Sequence, residues 1–118
     1  MRSALIVDPD AVSRERTEFV LTDLGIAYDC AESAEEALSR VLSYDLYIVE
    51  SLLQGIDGVQ LSERLRASTD APIIILSGCC ELPWKVAGYY AGADVYLCKP
   101  VSEVDLKLCV MSVLRRSS

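Results

Sequence analysis

Residues 71–80 read APIIILSGCC. Three isoleucines and a leucine, Ile73 to Leu76, follow Ala71-Pro72 and stop at Ser77-Gly78. A run that short and that apolar is a strand covered on both faces. Similar runs lie on either side, Leu46 to Val49 before Glu50 and Val95 to Cys98 before Lys99-Pro100. Farther out, Ala4 to Val7 ends on Asp8-Pro9-Asp10, and Ile26 to Ala31 makes a weaker fifth strand.

Helical spacing fills the intervals. Ala11 to Leu24 places Val12, Phe19, Val20 and Leu24 near one stripe, with Gly25 behind. Ser33 and Glu36 form a capping box for a helix through Ala37, Leu38, Val41 and Leu42. A loop through Gln54, Gly55, Asp57 and Gly58 leads to a helix carrying Val59, Leu61 and Leu65. A fourth helix covers roughly Leu82 to Ala91 and ends at Gly92. Ser102 caps the last, with Leu106, Cys109, Val110 and Val113 on its apolar side and Arg115 and Arg116 suiting its C-terminus. Strands alternating with helices in this way predict an α/β fold, a doubly wound, five-stranded parallel sheet with helices on both faces.

The chain of 118 residues is read as one domain over 1–118, a reading that also suits the N-terminal part of a longer protein. A net charge of −7 argues against direct nucleic-acid binding. With no histidine, neither a Ser-His-Asp nor a Cys-His catalytic arrangement can be built. Cys30, Cys79, Cys80, Cys98 and Cys109 are odd in number and include no CxxC pair, the pattern of reduced and largely buried thiols in a cytoplasmic protein. The longest uncharged stretch, residues 71–80, falls far short of the ~20 residues of a membrane span, and with one Arg and a four-residue apolar run before Asp8 neither an export signal nor an anchor is expected.

In doubly wound sheets, ligands bind beyond the carboxyl ends of the strands, where strand order reverses. Asp8, Pro9, Asp10, Glu50, Ser77 and Lys99 all fall at such ends. Carboxylates, a hydroxyl and an ammonium brought together there suit Mg²⁺ and phosphoryl chemistry.

The order of these motifs resembles the receiver domain of two-component response regulators, of CheY-like fold, across residues 3 to 115. LIVDPD is similar to the family's acidic-pair segment, DLYIVESLLQGIDG to its phosphoacceptor strand and loop, PIIILSG to its hydroxyl-bearing strand, and GADVYLCKP to its aromatic and lysine segment. The resemblance implies that Asp8 is the first acidic residue, Ser77 the hydroxyl switch residue, Tyr96 the aromatic switch residue and Lys99 the site lysine, with Gly58 as the loop glycine.

Two departures change what the resemblance implies. Pro9 stands where the family has its second acid, so Asp8 is left as a metal ligand in a weak or lost Mg²⁺ site, and no cofactor is expected. Glu50 stands at the phosphoacceptor position, one methylene longer than aspartate, which misplaces an in-line attack. Gln54 also replaces a loop proline. The expected function is therefore that of an atypical, phosphorylation-independent receiver, a pseudo-receiver and not an enzyme, with Glu50 as a partial phosphate mimic.

Blander readings stand beside this one. Glu50 can be a strand-end carboxylate paired with Lys99 to hold the fold, Asp8 and Asp10 can be loop and capping residues, and Tyr96 and Ser77 can be packing. Trp84, Tyr89 and Tyr90 suit either a partner face formed by the fourth helix, fifth strand and fifth helix, or cover for the sheet edge. That face would take a protein partner, whether an output domain, a histidine kinase or a second copy in a homodimer. Cys79 and Cys80 have no basic neighbour before Lys85 to activate them. Two other functions compete: a working phosphoacceptor that uses Asp8 or Asp10, and a flavodoxin-like cofactor binder. The acidic loop after the first strand argues against the second.

Overall fold

The computed structural model describes residues 2–40 and 43–117. Its elements alternate throughout: β1 Ser3–Val7, α1 Ala11–Asp23, β2 Ala27–Ala31, α2 Ala34–Leu38, β3 Leu46–Glu50, α3 Gly58–Ser68, β4 Ile73–Ser77, α4 Leu82–Tyr90, β5 Val95–Cys98 and α5 Glu103–Ser117. The five strands form one parallel sheet in the order β2-β1-β3-β4-β5. Consecutive crossovers therefore leave β1 in opposite directions, which opens a crevice beyond the ends of β1 and β3.

Period-two alternation splits the core into two layers. Ala4, Ile6, Leu46, Ile48, Ile74 and Leu76 face α1 and α5, where Val20, Leu21, Leu106, Val110, Val113 and Leu114 meet them. Leu5, Val7, Tyr47, Val49, Ile73 and Ile75 face the other way, onto Ala34, Ala37, Leu61 and Leu65 of α2 and α3, with Tyr96 among them. The central strands are buried along their whole length, which is why they read as unbroken apolar runs. Edge strand β2 alternates in exposure and reads weakly for that reason.

The expected elements are all present, with differences in detail. Glu50 and Ser77 are the last residues of β3 and β4 rather than loop residues. In α1 the buried residues are Thr17, Val20 and Leu21, while Val12 and Phe19 are 64% and 58% exposed. Packing that face on the sheet leaves the stripe through Val12 and Phe19 outward, and Arg14 donates to the Asp8 carbonyl at 2.8 Å. Helix α2 ends at Leu38; Val41 and Leu42, expected to continue it, lie outside the described residues. None of the five thiols is fully buried, contrary to expectation: Cys80 is exposed and the other four are half-buried, because they sit on an edge strand, a loop, a strand end and a helix flank.

Candidate signalling site

The carboxyl ends of β1, β3, β4 and β5 bring Asp8, Glu50, Ser77 and Lys99 together, as their strand-end positions predict. Backbone geometry places each of them. The Asp8 amide donates to the Ala31 carbonyl at 3.0 Å, extending the β1–β2 pairing by one residue, and its Oδ1 accepts from the Asp10 amide at 2.9 Å. Gly58 opens α3 so close to the end of β3 that any Cβ there would collide with the Glu50 carbonyl oxygen. Its amide donates to the Ser51 carbonyl at 2.9 Å, fixing the turn that follows Glu50. The Lys99 amide donates to the Ser77 carbonyl at 2.7 Å, and the Lys99–Pro100 peptide bond is cis.

The Lys99 ammonium lies between two buried carboxylates. It pairs with Glu50 Oε2 and lies 3.4 Å from Asp8 Oδ2. The two carboxylate side chains are only 9% and 5% exposed, and Lys99 is 26% exposed. Burial alone would lower the Lys99 pKa. The hydrogen bond to Glu50 and the charges of Asp8 and Glu50 outweigh it, so the pKa lies above the ordinary lysine value. The ammonium thus stays charged at every physiological pH, neutralising a pair of acids that would otherwise repel.

Glu50 Oε1 turns toward its own strand end, accepting from the Leu52 amide at 3.2 Å and the Ser51 hydroxyl at 3.5 Å. Its link to Ser77 is indirect. Ser51, fully buried, places its hydroxyl against that of Ser77, and Ser77 Oγ in turn accepts from the Cys79 amide at 2.9 Å. The Cys79 carbonyl accepts from the Tyr96 hydroxyl at 2.6 Å. A continuous polar path thus joins Lys99, Glu50, Ser51, Ser77 and Cys79 to Tyr96. Ser51 escaped the sequence reading because a serine after a strand-end acid carries no distinguishing pattern.

Tyr96 is buried, 6% exposed, in a slot against α4. A Cβ on Gly88 would lie 2.7 Å from its ring. Tyr89 completes the link, its hydroxyl accepting from the Tyr96 amide at 3.1 Å. Of the three rings expected on the partner face, Tyr89 and Tyr90 are exposed, at 50% and 89%. Trp84 is half-buried, packed against the α2–α3 layer, which fits the sheet-cover reading of this ring. Leu82 and Val86 of α4 and Val104, Leu108 and Met111 of α5 add exposed apolar surface that the sequence reading left out.

Asp10 does not join the acidic pocket. It is the N-cap of α1, its Oδ1 accepting from the Val12 amide at 3.0 Å, and it is exposed. Its place in the acidic set is therefore withdrawn: a capping aspartate must point along its own helix, away from Glu50. The donor set does not fit a divalent cation. Pro9 offers no side-chain oxygen, Asp8 and Glu50 share the Lys99 ammonium, and among the described residues no three acidic or thiol groups are placed to hold a metal.

A parallel 2-1-3-4-5 sheet with an acid at the end of β1, an acid at the end of β3, a hydroxyl at the end of β4 and a lysine at the end of β5 defines the receiver class of signalling domain. Residues 4–110 match the family model described as the response regulator receiver domain, and the chain belongs to that family. It is 34% identical over 116 residues to the transcriptional regulatory protein ResD of Bacillus subtilis, covering 97% of this chain and 48% of that protein. It is 37% identical over 117 residues to the two-component response regulator PhoP of Pseudomonas aeruginosa, covering 97% of this chain and 52% of that protein. The chain thus spans about half the length of the curated relatives it matches. Among solved structures, a two-component response regulator from Clostridium difficile superposes with a TM-score of 0.94 at 31% identity, covering 100% of this chain and 99% of that one. A putative response regulator from Chloroflexus aurantiacus gives 0.90 at 36% identity, with 98% of each chain covered. Among the described residues, no helix is long and apolar enough to cross a membrane.

Proposed function

We propose that this receiver domain signals without phosphorylation, its output state set by the built-in carboxylate of Glu50. The observation that carries the reading is the ion pair between Glu50 and Lys99 at the site's centre. The carboxylate takes up the ammonium that would otherwise neutralise phosphoryl oxygens. It brings one charge where an aspartyl phosphate brings close to two, so the mimicry is partial. With Pro9 in place of an acid and Asp10 committed to capping α1, the site has neither the nucleophile nor the metal ligands for phosphotransfer.

The output is a contact made by α4, β5 and α5 with a protein partner, whether an output domain, a histidine kinase or a second copy. Exposed Tyr89, Tyr90, Leu108 and Met111 supply the aromatic and apolar surface such contacts favour. The polar path from Glu50 through Ser51, Ser77 and Cys79 to Tyr96 supports coupling between the site and this face. The acidic charge and the lack of a basic surface run favour a protein partner over nucleic acid.

Replacing Glu50 by glutamine keeps size and removes charge, so it separates signalling from simple fold maintenance. The expected result is a loss of stability of about 1–3 kcal/mol in urea melting, together with altered self-association by sedimentation. A variant that is destabilised yet associates as the unaltered chain does would reduce Glu50 to a structural role.

A further inference from the structure

Two thiols beside the signalling site have no part in the reading above. Cys98 closes β5 and is register-paired with Ser77 at the end of β4. Cys80 lies three residues beyond Ser77, its Sγ turned back to within 3.9 Å of the Ser77 carbonyl oxygen. The Lys99 amide, next to Cys98, donates to that same carbonyl at 2.7 Å, and Cys98 packs on the face of the sheet that Trp84 of α4 also covers, so the two cysteines flank one carbonyl. Both are free; Cys80 is exposed and Cys98 half-buried. A strand spacing of about 4.8 Å sets Cys98 beside Ser77, and the turn after Ser77 brings Cys80 back toward that strand end.

We propose that Cys80 and Cys98 are a redox site, forming an intramolecular disulfide on exposure to a hydroperoxide. The exposed Cys80 sulfur attacks one peroxide oxygen; the O–O bond breaks, the other oxygen leaves as water, and Cys80 becomes a sulfenic acid. The Cys98 sulfur then attacks the Cys80 sulfur; the S–O bond breaks, and hydroxide leaves as a second water with the Cys98 proton. Two thiols give up two electrons and two protons, and the peroxide is reduced to two waters. The neighbouring Cys98 thiol raises the Cys80 pKa and the Lys85 charge opposes it, so proximity of the resolving thiol, not thiolate character, directs the product.

The bond would tie the β4–α4 loop to β5 on both sides of functional residues. Cys79 inside that loop accepts the Tyr96 hydroxyl, and Lys99 follows Cys98 directly. Oxidation would therefore hold the polar path in one arrangement whatever the state of Glu50.

The test treats the 118-residue chain with hydrogen peroxide, blocks remaining thiols with iodoacetamide and reads intact mass and peptide map. The expected product is a monomer with two thiols protected, about 2 Da lighter before alkylation, reversed by dithiothreitol and mapping to a Cys80–Cys98 cross-link. Cys79→Ser should give the same product, and Cys98→Ser should stop at oxidised Cys80 without a disulfide. Mapping a bond between Cys79 and Cys80, finding disulfides only between chains, or finding Cys98 fully alkylated beside an over-oxidised Cys80 would each overturn the proposal. The map is made on the unaltered chain, so the outcome stands whether or not a variant folds.

Discussion

Lys99, at the end of β5, reaches across β4 to pair with Glu50 at the end of β3, while Asp8 lies 3.4 Å away on its other side. The cluster ties three of the five strands together at the end where a receiver's chemistry sits. Its balance of charge is local: two acids, one ammonium and the backbone amides that hold the acids' remaining oxygens.

The raised Lys99 pKa gives the cluster a pH signature. A group whose pKa is higher folded than unfolded contributes stability that is fully present below the unfolded value and lost as pH rises through the folded one. The advantage of the unaltered chain over Glu50→Gln, read as a difference in urea midpoints, should therefore hold from neutrality to about pH 10 and shrink above it. A difference unchanged to pH 11.5 or so would mean that Lys99 is not the partner that matters.

Gly88 tests whether Tyr96 is held where α4 leaves space for it. Gly88→Ala places a methyl 2.7 Å from the Tyr96 ring and should cost about 1–3 kcal/mol, exceeding the ~1 kcal/mol gained in helix propensity. In a Tyr96→Ala background the same change should become stabilising. The double-mutant cycle by denaturant melting reads this reversal of sign; additive effects would exclude the contact.

Cys30 donates to Glu18 Oε2 at 3.2 Å, and burial, that hydrogen bond and the Glu18 charge push its pKa up to about 11. At pH 8 its thiolate fraction is about a hundredfold below that of an ordinary cysteine, so iodoacetamide should label it last, far behind exposed Cys80. Glu18→Gln should speed its labelling, as followed by peptide mass.

Much of this was legible in the residues. Four apolar runs placed β1, β3, β4 and β5 because strands inside a parallel sheet are covered on both faces, edge strand β2 read more weakly, and the strand ends then located Asp8, Glu50, Ser77 and Lys99. Other features were hidden for physical reasons. Phe19 and Val12 imitate a core stripe, but the face that α1 buries runs through Thr17, Val20 and Leu21, and the polar threonine hides it from a hydrophobic count. Ser51 and Gly88 matter only through what lies opposite them, a buried hydroxyl and a tyrosine ring from segments 26 and 8 positions along the chain. Trp84, Tyr89 and Tyr90 read alike by residue type, and only their places around α4 separate half-buried Trp84 from the exposed tyrosines.

Pro9 and Glu50 depart from a working receiver in different requirements, metal ligation and nucleophile placement. Pro9→Asp with Glu50→Asp should restore phosphorylation by a small phosphodonor, while either change alone restores little, since the two act as a unit. Mg²⁺ at ~10 mM should raise the double variant's stability by about 2.7 kcal/mol if its Kd is near ~0.1 mM, and leave the unaltered chain's melting unchanged. A saturable stabilisation of the unaltered chain by Mg²⁺ but not Na⁺ would contradict the donor-set argument.

The most direct measurement is the intact mass of the unaltered chain after incubation with acetyl phosphate and Mg²⁺. The account predicts no phosphoryl adduct, because Glu50 is paired with Lys99 and Asp10 caps α1. A gain of about 80 Da, mapped to Glu50, Asp8 or Asp10, would show a functioning phosphoacceptor and contradict phosphorylation-independent signalling.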